Sequence, residues 1–129
     1  MRGTAAVEGS FPRMYASFGM QRAMLLALTA YTLKAEEAKQ WGLVQKIVPS
    51  EELVKEAVKM ASLIGGMSPD SVVVSRLGIR QAMETPSVER ATQLIAEMFA
   101  ERLMNGENAK EGLRAFQEKR APKWVPSKL

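Results

Sequence analysis

Apolar residues along this chain recur mainly at three- and four-residue intervals, the period of helices that each bury one face. The opening "MRGTAAVEGSFP" lacks that period: Gly3, Gly9 and Pro12 interrupt it, and residues 1–12 read as a loop. From Arg13 to Ala30 the pattern is helical with a break at Phe18-Gly19, which predicts two short helices. Lys34 to Trp41 predicts a third helix stopped by Gly42, and "LVQKIV" alternates up to Pro49 as a short strand would. Ser50 is placed to cap a helix running to about Ile64, with Leu53, Ala57, Ala61 and Ile64 on its apolar face. Ser68-Pro69 starts another helix, running to about Met83, and Thr85-Pro86 repeats the device. The helix that follows carries Ala91, Leu94, Ile95 and Met98 on one face and ends at Asn105-Gly106. Asn108 with Glu111 reads as a capping box for a last helix to about Lys119, in which Phe116 belongs to the core. Past Pro122 the tail reads as loose. The expectation is a mainly α chain of five to six helices, without internal repeats.

Composition narrows the chemistry. A chain of 129 residues is long enough for one domain with a real core. It has no cysteine and no histidine, so thiol nucleophiles, Ser-His-Asp machinery and the commonest metal ligands are unavailable, and no metal site is expected. Acid–base work falls to Asp, Glu, Lys or Tyr. The net charge of +4 is a mild bias toward anionic partners. No apolar run approaches a membrane span, "AMLLAL" being the densest, and no membrane partner is expected. The basic residues Lys119, Arg120, Lys123 and Lys128 lack interleaved stacking aromatics, so no nucleic-acid partner is expected either. The sequence closes on Ser127, Lys128 and Leu129, the tripeptide read as a peroxisomal address, which predicts a peroxisomal location and an import receptor as partner.

Two segments carry a family resemblance. "KAEEAKQWGLVQKIVPSEELVKEA" resembles the S-A-E-E-A-x-x-x-G-L-V-x-x-V-V-P segment of the crotonase superfamily, the enoyl-CoA hydratases and isomerases. "ENAKEGLRAFQEKRAPKW" resembles the closing segment of that family, E-G-x-x-A-F-x-E-K-R-x-P. Lys34 stands where the family has a capping Ser, which weakens the start of that helix. The resemblance implies the C-terminal helical, trimerising portion of a crotonase-like α/β fold. The N-terminal ββα spiral, about as long again, has no counterpart in these residues. Residues 1–30 then correspond to the end of the spiral core, 31–122 to the helical domain, and 123–129 to the tail with its address.

The same resemblance implies a lyase or isomerase acting on acyl-CoA thioesters, as in fatty acid β-oxidation, with coenzyme A on the substrate and no separate cofactor. Backbone N–H groups hold the thioester enolate and carboxylates move the protons. The donors belong to the spiral half, so the isolated chain is expected to be inactive. Glu8 is the only acid of the loop "GTAAVEGSFP"; an isomerase-type P-E-G match places it as the proton-transfer group, an ungapped match places Val7 there, and the hydratase-type acid position falls before Gly3. The alternative for Glu8 is a solvated loop carboxylate. Lys119 matches the family lysine that approaches CoA phosphate or adenine, against a basic helix terminus favoured by the helix dipole. Phe99 lies one residue from the family's adenine-stacking aromatic, against a place in the core. Trp41 and Tyr31 read as packing residues. A homo-oligomer, a trimer or dimer of trimers, is implied. The competing functional reading is a non-catalytic oligomerisation or interaction module derived from the family.

Overall fold

A computed structural model describes residue 5 and residues 8–129. Gly3 and Val7, singled out above, lie outside the described residues. The chain divides into two compact units, residues 1–53 and 54–129. Both are helical, and among the described residues there is no strand.

In the first unit, α1 (Ser10–Phe18) and α2 (Met20–Thr29) pack against each other across Gly19. Gly19 ends one helix and begins the next. Its N–H donates to the Tyr15 carbonyl at 2.9 Å, and its own carbonyl accepts from the Ala23 N–H at 3.2 Å. Its φ of 82° and ψ of 171° lie in a region that only glycine occupies at low cost. Ala23 is the buried contact of α2. A third helix, α3 (Ala35–Gln40), follows, and no side chain caps it at Lys34, in keeping with the missing Ser. Gly42, at φ 79°, turns the chain so that the Leu43 N–H donates back to the Ala38 carbonyl at 2.9 Å. The strand expected at "LVQKIV" is absent: residues 43–49 are irregular. A lone strand leaves its backbone groups unpaired, and the described residues offer it no partner strand.

A single 3₁₀ turn, Ser50–Glu52, leads into α4 (Leu53–Gly65). Ser50 lies inside that turn, so it does not cap the helix as expected. The second unit holds α5 (Pro69–Glu84), α6 (Val88–Ile95), α7 (Glu101–Asn105) and α8 (Glu107–Gln117). Ser68 caps α5 as expected, its Oγ accepting from the Ser71 N–H at 3.5 Å with Pro69 at the first position. The cap of α6 is Ser87, accepting from the Arg90 N–H at 3.2 Å, not Thr85. Thr85 instead closes α5, where its Oγ1 accepts from Gln81 Nε2 at 2.8 Å.

Between α6 and α7 the chain makes a π-helical turn, Ala96–Ala100. The wider turn shifts the apolar stripe, so that half-buried Leu94 is followed five positions on by buried Phe99. Met98, expected on the buried face, is 53% exposed, and Phe99 is buried at 8%. α8 starts one residue before Asn108, without a side-chain cap, so the expected capping box does not form. Its buried face is Asn108 and Ala115, which leaves Phe116, placed in the core from sequence, 85% exposed. Large apolar side chains on α4 are bare as well: Val54, Val58 and Leu63 are exposed and no residue of the helix is buried.

Candidate functional site

Glu8 precedes a left-handed Gly9, at φ 85°, at the turn into α1. Its side chain is exposed, and its carbonyl accepts from Arg13 Nη1 at 3.4 Å, which ties the turn to the first helical turn of α1. Beside that turn, α1 and α2 form the walls of an open apolar cleft of about 580 Å³, with Phe11, Tyr15, Met20, Met24 and Leu28 among its lining. An apolar trough of this kind suits an acyl group; Glu8 is not among the residues that line it. At the far end of the same unit Trp41 is half-buried, with its ring 5.9 Å from Phe18 and the Arg22 guanidinium 5.2 Å above it. That agrees with the packing role read from sequence, with a cation–π contact added. Tyr31 is exposed instead, its hydroxyl donating to Glu37 Oε2 at 2.6 Å. That bond to a carboxylate holds the phenol above its ordinary pKa.

Lys119 follows the end of α8 in a left-handed conformation, φ 52°, unusual for a residue with a side chain. A charged clamp holds the backbone there. Arg120 donates from Nη1 to Glu111 Oε1 at 2.6 Å, from Nη2 to Oε2 at 3.0 Å, and from Nε to Glu118 Oε2 at 2.6 Å. The Lys123 N–H adds a third bond to Glu111, at 2.7 Å. This bidentate pairing, with the backbone donor, lowers the Glu111 carboxyl from 4.5 to about 2, and Glu111 and Glu118 raise Arg120 above its ordinary value. The consequence for Lys119 is positional: the chain turns at a fixed point and leaves its ammonium exposed. Phe99 is buried within the π-helical turn.

The tail is not loose, contrary to the sequence expectation. Trp124 Nε1 donates to the Gly66 carbonyl at 2.9 Å. The buried Asn108 side chain bonds Val125 on both sides: Oδ1 accepts from the Val125 N–H at 2.9 Å, and Nδ2 donates to the Val125 carbonyl at 3.0 Å. The same Nδ2 donates to Oδ2 of the buried Asp70 at 2.9 Å. Beyond this anchor, Arg102 Nη2 donates to the Lys128 carbonyl at 2.7 Å, Lys128 Nζ donates to Glu107 Oε1 at 2.5 Å, and Ser127 Oγ accepts from the Leu129 N–H at 3.2 Å. The structure thus gathers Ser127, Lys128 and Leu129 on the α7–α8 corner.

Comparison with known proteins supplies the frame for these features. The family model for enoyl-CoA hydratase/isomerase matches residues 2–127. The chain belongs to the enoyl-CoA hydratase/isomerase family. Mevalonyl-coenzyme A hydratase sidH of Aspergillus fumigatus is 44% identical over 128 residues, covering 99% of this chain and 47% of that protein. The mevalonyl-coenzyme A hydratase of Beauveria bassiana is 43% identical, over 98% of this chain and 46% of the relative. Among solved structures, an enoyl-CoA hydratase from Mycobacterium tuberculosis H37Rv superposes with a TM-score of 0.89 at 28% identity, over 98% of this chain and 49% of its own. The chain therefore spans about half the length of the relatives it matches. Mainly helical and without a strand among its described residues, it is the C-terminal, helical portion of the crotonase-like fold.

The contacts that fix the backbone beside Lys119 and the terminal tripeptide are not evident in the sequence. Arg120 was read only as part of a basic run, and Glu111 only as half of a capping box. Their pairing joins residues on either side of a helix end, which a capping pattern does not reveal. Asp70 and Asn108 are separated by 38 residues, beyond any local pattern.

Proposed function

We propose that these residues form the helical part of an acyl-CoA hydratase that interconverts a β-hydroxyacyl thioester and its α,β-unsaturated counterpart, with mevalonyl-CoA as the substrate. The observation that carries this reading is the identity to the two mevalonyl-coenzyme A hydratases, 44% and 43% over nearly the whole chain, against 36% to a probable mitochondrial enoyl-CoA hydratase of Dictyostelium discoideum. In the dehydration direction the α-carbon gives up a proton, the β-hydroxyl leaves as water, and the electron pair closes the double bond. Thioester enolate charge is carried by backbone N–H donors of the spiral half. Glu8, which an isomerase-type match places at proton transfer, is the acid–base group that this half contributes, and the hydratase-type acid belongs to the other half. Lys119 meets the negatively charged phosphates of CoA as an exposed point charge. Ser127-Lys128-Leu129 directs the protein to the peroxisome.

Two results follow. The 129 residues alone should show no measurable turnover, since losing even one oxyanion donor typically costs about 10²–10³ in rate. In a family-length protein carrying these residues, Glu8→Gln should lower kcat by about 10²-fold or more with little change in KM. A Gln variant that keeps its kcat would leave the proton transfers wholly to the other half. A product with the double bond moved and no water gained or lost would replace hydration by isomerisation.

A further inference from the structure

The docked tail holds the residues of the proposed peroxisomal address in use. Each polar group beyond the Val125 anchor for which the structure shows a bond is engaged within the chain: the Lys128 ammonium with Glu107, the Lys128 carbonyl with Arg102, and the Ser127 hydroxyl with the Leu129 N–H. A receptor that captures a chain end does so through that end's own polar groups, in extended form. The docked and captured states therefore exclude each other. We propose that Arg102 and Glu107 are a latch on the Ser-Lys-Leu tail, so that the import receptor binds only the fraction of molecules in which it has opened. This inference rests on the peroxisomal reading above.

The latch has a fixed side and a releasable side. Buried Asn108 and Asp70, with the Val125 backbone bonded to Asn108 in both directions, form the fixed side. Arg102, Glu107 and Lys128 form the releasable side, on the surface, where the Lys128–Glu107 pair is 79% and 63% exposed. Ion pairs so exposed are weak and break readily. Opening needs only the last four residues to leave the α7–α8 corner, while Trp124 and Val125 stay in place. Apparent affinity for a receptor then falls by the fraction of molecules open.

The test measures binding of the receptor's peptide-reading domain to three ligands: the chain, its Arg102→Gln/Glu107→Gln variant, and the free hexapeptide WVPSKL. The double variant removes one positive and one negative charge, so net charge and long-range attraction are unchanged. The hexapeptide should bind tightest, and the double variant about 3- to 10-fold tighter than the parent chain. Each single variant should fall between parent and double variant, which guards against a double variant that fails to fold. Hydrogen exchange at the Leu129 amide should quicken in the same order. Equal affinity of parent and variants, with the hexapeptide bound, overturns the latch and leaves the address intact. A hexapeptide that does not bind overturns both.

Discussion

Asn108 shows how much one side chain can organise. It sits in the first turn of α8, and its amide makes three bonds at once: one to Asp70 and two to Val125. The second Asp70 oxygen, Oδ1, is buried with no partner among the described residues, so Asp70 depends on Asn108. Asn108→Ala should destabilise the chain by about 2–3 kcal/mol in chemical denaturation, since a buried carboxylate and a backbone pair lose their partners together. A loss below about 0.5 kcal/mol, typical of surface substitutions, would mean that the knot is not formed. The sequence suggested a cap at this position because Asn and Glu three apart resemble one. Only the fold brings Asp70 and Val125 to it.

Helix by helix, the local signals were legible where punctuation was strong. Ser68-Pro69, the Phe18-Gly19 break and the Gly42 stop each appear as expected, because a cap or a left-handed glycine acts within a few residues. The π-helical turn was not legible, since inserting one residue into a turn depends on packing, and it exchanges Met98 for Phe99 on the buried face. The clamp at the end of α8 has a pH signature. The Glu111 carboxyl is lowered in the fold from 4.5 to about 2, so its contribution is fully present above pH 4.5 and is lost as pH falls toward 2. Thermal stability should fall across that window, and Glu111→Gln should flatten the fall. A variant with the same acid profile as the parent would remove Glu111 from the account.

For the whole molecule, what stands out is unburied apolar surface. Val54, Val58 and Leu63 on α4, Leu113 and Phe116 on α8, and the cleft between α1 and α2 are open to solvent. Apolar surface of this extent marks faces that other protein or a ligand covers, and the helix faces of α4 and α8 are of the first kind. Light scattering at micromolar concentration should therefore show self-association; a clean monomer would contradict it. Family membership was legible from two segments, "KAEEAKQWGLVQKIVP" and "EGLRAFQEKRAPKW", because both mark helix boundaries with fixed residue types. Substrate was not legible, because these segments mark helix boundaries and not a pocket for an acyl group. The central claim is hydratase chemistry on mevalonyl-CoA, and its most direct measurement is turnover by a family-length protein that contains this chain. Mevalonyl-CoA should lose water to give the α,β-unsaturated thioester, and do so with a higher kcat/KM than a straight-chain β-hydroxyacyl-CoA of similar length. No dehydration of mevalonyl-CoA, with ready turnover of the straight-chain thioester, would contradict the account.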